Sequence, residues 1–517
     1  MSITAVFERV KSRDINWRRV FFVGVFVALF LEFYLNFFGT VNSAAFSSFQ
    51  NDSEGLVLGR IQASITAGVF SVGGFLTRNG VSAYTSQFGL QGDIFGFIAQ
   101  FLSFLDVTTI YIIFRGITAA LTALVVTLII RWLSDEFDFK RLLLIVLPLF
   151  IIMGIPVISH SYQFIGMARN LYWVPFTFLL PLLIMIFINK DKETKKGYPL
   201  LGIVLLFLAV LGKCLCGFEY ISTILIAGSV PLFYYAIKYQ MNINTFLIRF
   251  TQYTVTTLSG FVVSVGLYCL KLYLYRGEWS LVFANLIDSV AKRTYGFDVD
   301  VAEVYAASLA APVSEVISIY LVPQLKIFLF ILVVISVCIG LIHLVKVKHI
   351  FGMEFQKVTA TSNRKLLAGL CATGISFLAP LSWIILAKGH SYIHRHMNFN
   401  LWWVPFIIIG LALAIYFVKC WVDWHVPEKS KPSDFVQRNE LALILILIPL
   451  GIEYLSLSSM VLTLIFGLKY FIYLCYLVDF GTLTGIVFHL VMVGCILIGM
   501  GLLFVGIHSS NRMELEK

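Results

Sequence analysis

Thr108-Thr109-Ile110-Tyr111-Ile112-Ile113-Phe114-Arg115-Gly116-Ile117 runs on through Leu121-Thr122-Ala123-Leu124-Val125-Val126-Thr127-Leu128-Ile129-Ile130 to Arg131-Trp132. Between Thr108 and Ile130 the only charged side chain is Arg115. A helix rises about 1.5 Å per residue, so about 20 apolar residues cross the hydrocarbon of a bilayer. This stretch therefore reads as a membrane-spanning helix. The composition says the same of the whole chain: 517 residues, 59% hydrophobic and 13% charged, with a mean hydropathy of +0.90. Soluble domains carry roughly a quarter charged residues. A soluble enzyme on a single anchor is excluded, as are disordered, collagenous and disulfide-scaffold classes.

Applied outward from that stretch, the same rule places helices near 20–38, 142–159, 171–188, 199–216, 220–237, 252–275, 325–345, 367–387, 402–419, 440–456, 459–477 and 483–507. The expected fold is an all-α polytopic membrane protein of 12–13 spans in one integral-membrane domain covering 1–517. The net charge of +10 gathers in short gaps between apolar runs. They carry Arg131, Lys140 and Arg141; Lys190, Lys192, Lys195 and Lys196; Lys346, Lys348, Lys357, Arg364 and Lys365; and Lys429, Lys431 and Arg438. By the positive-inside rule these gaps are cytoplasmic, as is the basic N-terminus (Arg9, Lys11, Arg13, Arg18, Arg19). No basic stripe is interleaved with aromatics on a soluble segment, so no nucleic-acid partner is expected. The eight cysteines lie in or beside apolar segments and read as small buried hydrophobes.

Two long loops fall on the opposite, extracytoplasmic side, at 39–107 and 276–324. Each holds a short apolar-periodic stretch, Leu56–Ile65 and Leu281–Val290, expected as a helix at the interface. An internal repeat accompanies them. His160-Ser161-Tyr162 through Asn170-Leu171-Tyr172-Trp173-Val174-Pro175-Phe176 recurs as His390-Ser391-Tyr392 through Asn400-Leu401-Trp402-Trp403-Val404-Pro405-Phe406, and Gly217-Phe218-Glu219-Tyr220 recurs as Gly451-Ile452-Glu453-Tyr454. Six expected spans separate the copies, so the repeat is parallel. Convergence on a favoured interfacial helix start, with an Asn cap and an early Pro, is the competing explanation.

The first long loop opens with Asn51-Asp52-Ser53-Glu54-Gly55. Two carboxylates one residue apart at a membrane surface can supply a general base and a group that orients an acceptor hydroxyl. Asp52 or Ser53 also suits the N-cap of a helix over Leu56–Ile61, and the two roles are compatible. A second cluster, Lys388-Gly389-His390-Ser391-Tyr392-Ile393-His394-Arg395-His396, can bind a phosphate through Lys388 and Arg395 and hydrogen-bond it through His390, His394 or His396. His390 and His394 are spaced as a helical metal pair, but no Glu lies between them, and no metal is expected. Arg115 either reaches a phosphate or snorkels to the headgroups. Lys213 and Glu219 bracket one helix end and can pair with each other. Arg169, Lys292 and Arg293 can face a glycan or a lipid head.

The basic N-terminus, one helix, and a long outer loop opening with acids before an amphipathic helix resemble the GT-C membrane glycosyltransferases. Tyr84-Thr85-Ser86-Gln87-Phe88-Gly89-Leu90-Gln91-Gly92 and the His390–Phe406 block are similar to bacterial members of that superfamily. The resemblance is architectural over most of the chain and reaches motif level only in these stretches. It implies a polyprenyl-phosphate-linked sugar donor, a glycan or lipid acceptor, membrane lipids as surroundings, no cofactor, and an extracytoplasmic site in a bacterial plasma membrane. Asp52 or Glu54 would be the base, with Arg115, Lys388, His390, His394, Arg395 and His396 at the donor phosphate. Tyr84, Gln87, Arg169 and Glu219 would make acceptor or loop contacts. The chain departs from the family in its Asp-Ser-Glu order, in lacking a Lys-Pro-Pro-like segment, and in its repeat. A lipid-linked-glycan flippase or transporter with parallel six-helix repeats is the alternative. A polysaccharide polymerase or ligase would need a longer late outer loop than residues 390–401 provide.

Overall fold

The computed structural model describes residues 17–37, 46, 53–139, 142–153, 164–190, 197–294, 333–334, 336–338, 340–341, 361–393, 398 and 400–425. Asp52, His394, Arg395, His396 and everything after 425 lie outside them, as do the side chains of Lys292, Arg293 and Lys388. The long helices are α1 (Trp17–Leu35), α4 (Val107–Glu136), α5 (Leu142–Met153), α6 (Phe176–Lys190), α7 (Leu200–Cys216), α8 (Ile221–Lys238), α9 (Ile243–Arg276), α10 (Trp279–Thr294), α11 (Thr361–Leu386) and α12 (Phe406–His425). The first long loop adds α2 (Glu54–Ala67), a hairpin of β1 (Leu76–Arg78) and β2 (Ser82–Tyr84), and α3 (Leu90–Phe101).

The described residues are mostly helical, as expected of a helical membrane protein, with the β1–β2 hairpin the departure from an all-α fold. Among the described residues four helices, α4, α8, α9 and the Arg364–Leu386 part of α11, are long and apolar enough to cross a membrane, and α6, α7, α10 and α12 hold shorter apolar stretches. Among the boundaries that move, two have a visible local cause. The α9 helix begins at Ile243 rather than 252, because the Asn242 side chain caps it by accepting from the Asn244 N–H at 2.9 Å. The α6 helix begins at Phe176 rather than 171, because Asn170 Oδ1 accepts from the N–H groups of Tyr172 and Trp173 and holds a non-helical turn before Pro175.

Apolar side chains such as Ile113, Ile117, Leu121 and Leu124 on α4, and Val255, Leu258 and Val262 on α9, are exposed, as lipid-facing positions are. The opposite face of α4 buries Thr118, Ala119, Thr122 and Ala123. Small residues let helices approach closely, and Thr122 Oγ1 reaches the Ala168 carbonyl at 2.9 Å.

The helix ends sort into two groups. At one, Arg18 of α1 meets Asp135 at 2.5 Å, Lys190 of α6 lies 3.6 Å from the same carboxylate, Lys238 of α8 pairs with Glu136, and Lys365 of α11 pairs with Asp138. The other gathers the 53–106 segment, residues 168–175, the 217–220 turn, the end of α9 and the Lys388–Ile393 turn. The stretches Leu56–Ile65 and Leu281–Val290, expected as helices, lie within α2 and α10. The α2 helix packs tightly on α3 and β1 and buries Leu56, Val57, Gly59, Arg60, Ile61, Ala63 and Ser64. Glycine permits the approach: a Cβ at Gly96 would stand 2.3 Å from Ser64 Oγ.

Candidate functional site

Glu54 opens α2 and is fully buried. The residue before it, Ser53, occupies the cap position at φ 60° and makes no side-chain cap hydrogen bond, so the expected Ser53 cap does not form. What holds the turn is the Glu54 carboxylate. Arg115 Nη2 donates to Oε2 at 2.6 Å and Arg115 Nε to Oε1 at 3.3 Å. The Leu171 backbone N–H donates to Oε1 at 2.9 Å. The Arg115 guanidinium also donates to the Tyr111 hydroxyl and lies 4.0 Å from that ring's centroid. Arg115 therefore turns inward to Glu54 rather than snorkelling. Glu54, with both oxygens engaged, is placed to position the loop rather than to take a proton from a substrate.

Arg169 stands beside this pair. Its Nη1 donates to the Tyr34 carbonyl, its guanidinium lies 4.4 Å from the Phe46 ring centroid, and its buried Nε has no hydrogen bond among the described residues. Burial, and then the charge of Arg115, push Arg169 down to about 10, with Glu54 opposing. Among the described groups here, two guanidiniums share one carboxylate. Asp52, two residues before Glu54, is within about 7 Å of it along the chain.

A second charged cluster went unread in the sequence. Fully buried Arg60 donates from Nη1 to the Ser71 carbonyl at 2.6 Å and from Nη2 to Asp93 Oδ1 at 3.4 Å. Lys271, near the end of α9, donates to Asp93 Oδ2 at 2.8 Å and to the carbonyls of Gly74 and Phe88 at 2.9 and 2.8 Å. The three Lys271 donors pin the first long loop to α9, though 178 residues separate Asp93 from Lys271. Burial raises the Asp93 carboxyl, opposed first by Lys271 and then by Arg60. Burial lowers Arg60. Hydrophobic periodicity carries no signal for such a pairing.

The remaining expected residues collect around the 171–173 turn. Gln91 Nε2 donates to the Tyr172 carbonyl at 3.0 Å, and the Tyr172 hydroxyl reaches Gln87 Oε1 at 3.4 Å. Tyr84 packs against the core from β2. Glu219 is buried beside Gly217, where a Cβ would meet Glu219 Oε2 at 2.3 Å and Gln87 Oε1 at 2.7 Å. Lys213 donates to the Gly217 carbonyl at 2.7 Å and lies 4.9 Å from the Phe178 ring centroid.

His390 is buried among rings, 5.7 Å from Tyr220 and 5.6 Å from Trp383, and Tyr220 lies 5.5 Å from Trp173. The early acidic segment and the start of the late cationic cluster thus share one end of the bundle, joined through residues 171–173 and Tyr220. Non-glycine residues there that hold positive φ include Ser53, Val72, Asn79, Val174 and Tyr220. Backbone in that region costs of order 1–3 kcal/mol and concentrates at functional sites. The two repeat copies, at 170–176 and 400–406, lead into α6 and α12 but differ locally: Val174 has φ 41°, whereas Val404-Pro405 is cis.

Comparison with known protein families, curated proteins and solved structures returned no match to this chain.

Proposed function

We propose that the protein is a membrane glycosyltransferase of the GT-C type. It moves a sugar from a polyprenyl-phosphate donor to a cell-surface glycan or lipid on the extracytoplasmic face of a bacterial cell membrane. One observation carries the reading: a carboxylate locked by Arg115 and a backbone N–H fixes the chain just after Asp52, beside a second, partly buried guanidinium, Arg169, whose Nε has spare hydrogen-bonding capacity. In this assignment Asp52 is the base and Glu54 a positioning residue. Asp52 takes the proton of the acceptor hydroxyl, whose oxygen attacks the anomeric carbon. The bond to the phosphate oxygen breaks, and its electron pair leaves on the polyprenyl phosphate. Arg169 stabilises that developing charge, with Lys388, Arg395 and neighbouring histidines as further partners.

The test is glycan analysis of cells carrying Asp52→Asn or Arg169→Gln, with membrane insertion verified. Loss of a positioned base costs about 10²–10⁴ in rate, so decoration should nearly vanish in Asp52→Asn. Full decoration by a normally inserted Asp52→Asn protein would remove the base and, with it, the proposed chemistry.

A flippase is favoured by one feature. The matched segments 170–176 and 400–406 each lead into a helix running away from the same end of the bundle. That reading expects Asp52→Asn to leave transfer intact and Arg169→Gln to strand lipid-linked glycan on the cytoplasmic leaflet.

A further inference from the structure

Beside the Glu54 pair lies a set of buried polar atoms that neither the fold nor the proposed chemistry uses. Trp173 and Trp383 are each about 5% exposed and both pack on Tyr220, at 5.5 and 5.2 Å between ring centroids. Both indole Nε1–H donors are buried without a hydrogen bond among the described residues. The same holds for Gln87 Nε2 on the Tyr172 side, and for Ser391 Oγ and Asn398 Oδ1 on the His390 side. Asn398 Nδ2 donates to the Ser391 carbonyl at 2.9 Å, so these last two are neighbours. The atoms come from four separate parts of the chain: the first long loop, the 171–175 turn, α11 and the 388–400 segment.

Buried polar groups in folded proteins are nearly always satisfied, and each exception calls for a partner. The chemistry of these atoms narrows that partner. An indole N–H and an amide N–H only donate; Asn Oδ1 only accepts; a Ser hydroxyl does both. A phosphate would satisfy the donors and be repelled by the amide oxygen. An alkyl chain would satisfy none of them. A hydroxylated ring donates and accepts around its rim and presents C–H faces to aromatic rings, which suits an apolar aromatic site with a few placed polar groups.

We infer that Trp173 and Trp383, which both pack on Tyr220, form with Gln87, Ser391 and Asn398 from the same end of the bundle a saccharide subsite that takes an uncharged sugar ring by its hydroxyls. The subsite relies on the glycosyl-transfer reading for what becomes of the sugar, but not for its binding.

The test uses the purified full-length protein in detergent, titrated calorimetrically with methyl glycosides of glucose, galactose, mannose, rhamnose and N-acetylglucosamine, with inorganic phosphate run in parallel. At least one glycoside should bind saturably. Trp173→Phe and Trp383→Phe keep a ring and lose only the N–H, so each should weaken that binding by about tenfold, the loss of one buried hydrogen bond. Gln87→Leu should do likewise, and an unchanged elution profile on size exclusion verifies folding. No saturable glycoside, or one bound equally well by all three variants, overturns the subsite, as does binding of phosphate that these variants weaken. Asp52→Asn separates the two proposals. It should bind the glycoside normally, so intact binding with unimpaired transfer defeats the base while leaving the subsite standing.

Discussion

At one end of the bundle Asp135 and Asp138 meet Arg18, Lys190 and Lys365 with their carboxylates a quarter to a half exposed, and among these pairs only Glu136, against Lys238, is buried. At the other, Glu54 is fully buried against Arg115, and Asp93 bridges fully buried Arg60 to Lys271. The residue types are the same, but their surroundings differ. An exposed pair exchanges water for a partner at little net gain, whereas charges taken out of water are tolerated only when fully compensated. The first arrangement marks where helices emerge. The second fixes a loop against the helices at the cost of desolvating three cations, Arg115, Arg60 and Lys271.

Glu54 offers the largest way to break this contrast. Glu54→Gln leaves the partly buried Arg115 without its carboxylate partner, and breaking a buried pair from one side costs about 3–5 kcal/mol. The apparent unfolding midpoint in detergent should fall steeply. Glu54→Gln combined with Arg115→Gln should recover part of the loss, because one stranded charge goes with it. A single variant as stable as the parent would show that the pair is hydrated.

Asp93 gives a smaller, pH-dependent effect. Its folded carboxyl holds a proton to higher pH than the unfolded chain, whose value is 3.8. In the window just above 3.8 the native state therefore binds more protons than the unfolded state, and Asp93 makes stability fall as pH rises through it. Unfolding midpoints measured between pH 4 and 7 should carry this slope in the parent and lose it in Asp93→Asn. Equal slopes would mean that Lys271 and Arg60 outweigh the burial of the carboxyl.

Much of the fold was legible because hydrophobic run length is a local signal. The stretches around 108–132, 199–216 and 220–237 became α4, α7 and α8 with ends shifted by a few residues. Residues 54–67 read as a helix because apolar residues recur at helical spacing. Their burial could not be read, since it depends on α3 and β1 arriving from elsewhere. The candidate site was half legible. Glu54, Arg115, Arg169 and Gln87 stand out as polar groups in apolar or outer-loop surroundings, which is a property of each residue's own neighbourhood. The Glu54–Arg115 pairing and the Asp93–Lys271 clamp are properties of contacts between residues 61 and 178 positions apart. The α9 start moved for a different reason: Asn242 is a cap signal that a hydropathy window averages away.

Arg18 provides the smallest expected effect and the cleanest contrast with Glu54. Its side chain is 40% exposed, and Lys190 Nζ still lies 3.6 Å from Asp135 when Arg18 is removed. Arg18→Ala should therefore change stability by no more than about 1 kcal/mol. What effect remains should shrink further in 1 M salt, where screening acts within about 3 Å. The loss in Glu54→Gln should persist at the same salt concentration, because ions do not reach a carboxylate with no exposed surface. If salt erased both effects alike, the two ends would be equally wet, and the dry pocket assigned to sugar transfer would lose its electrostatic basis.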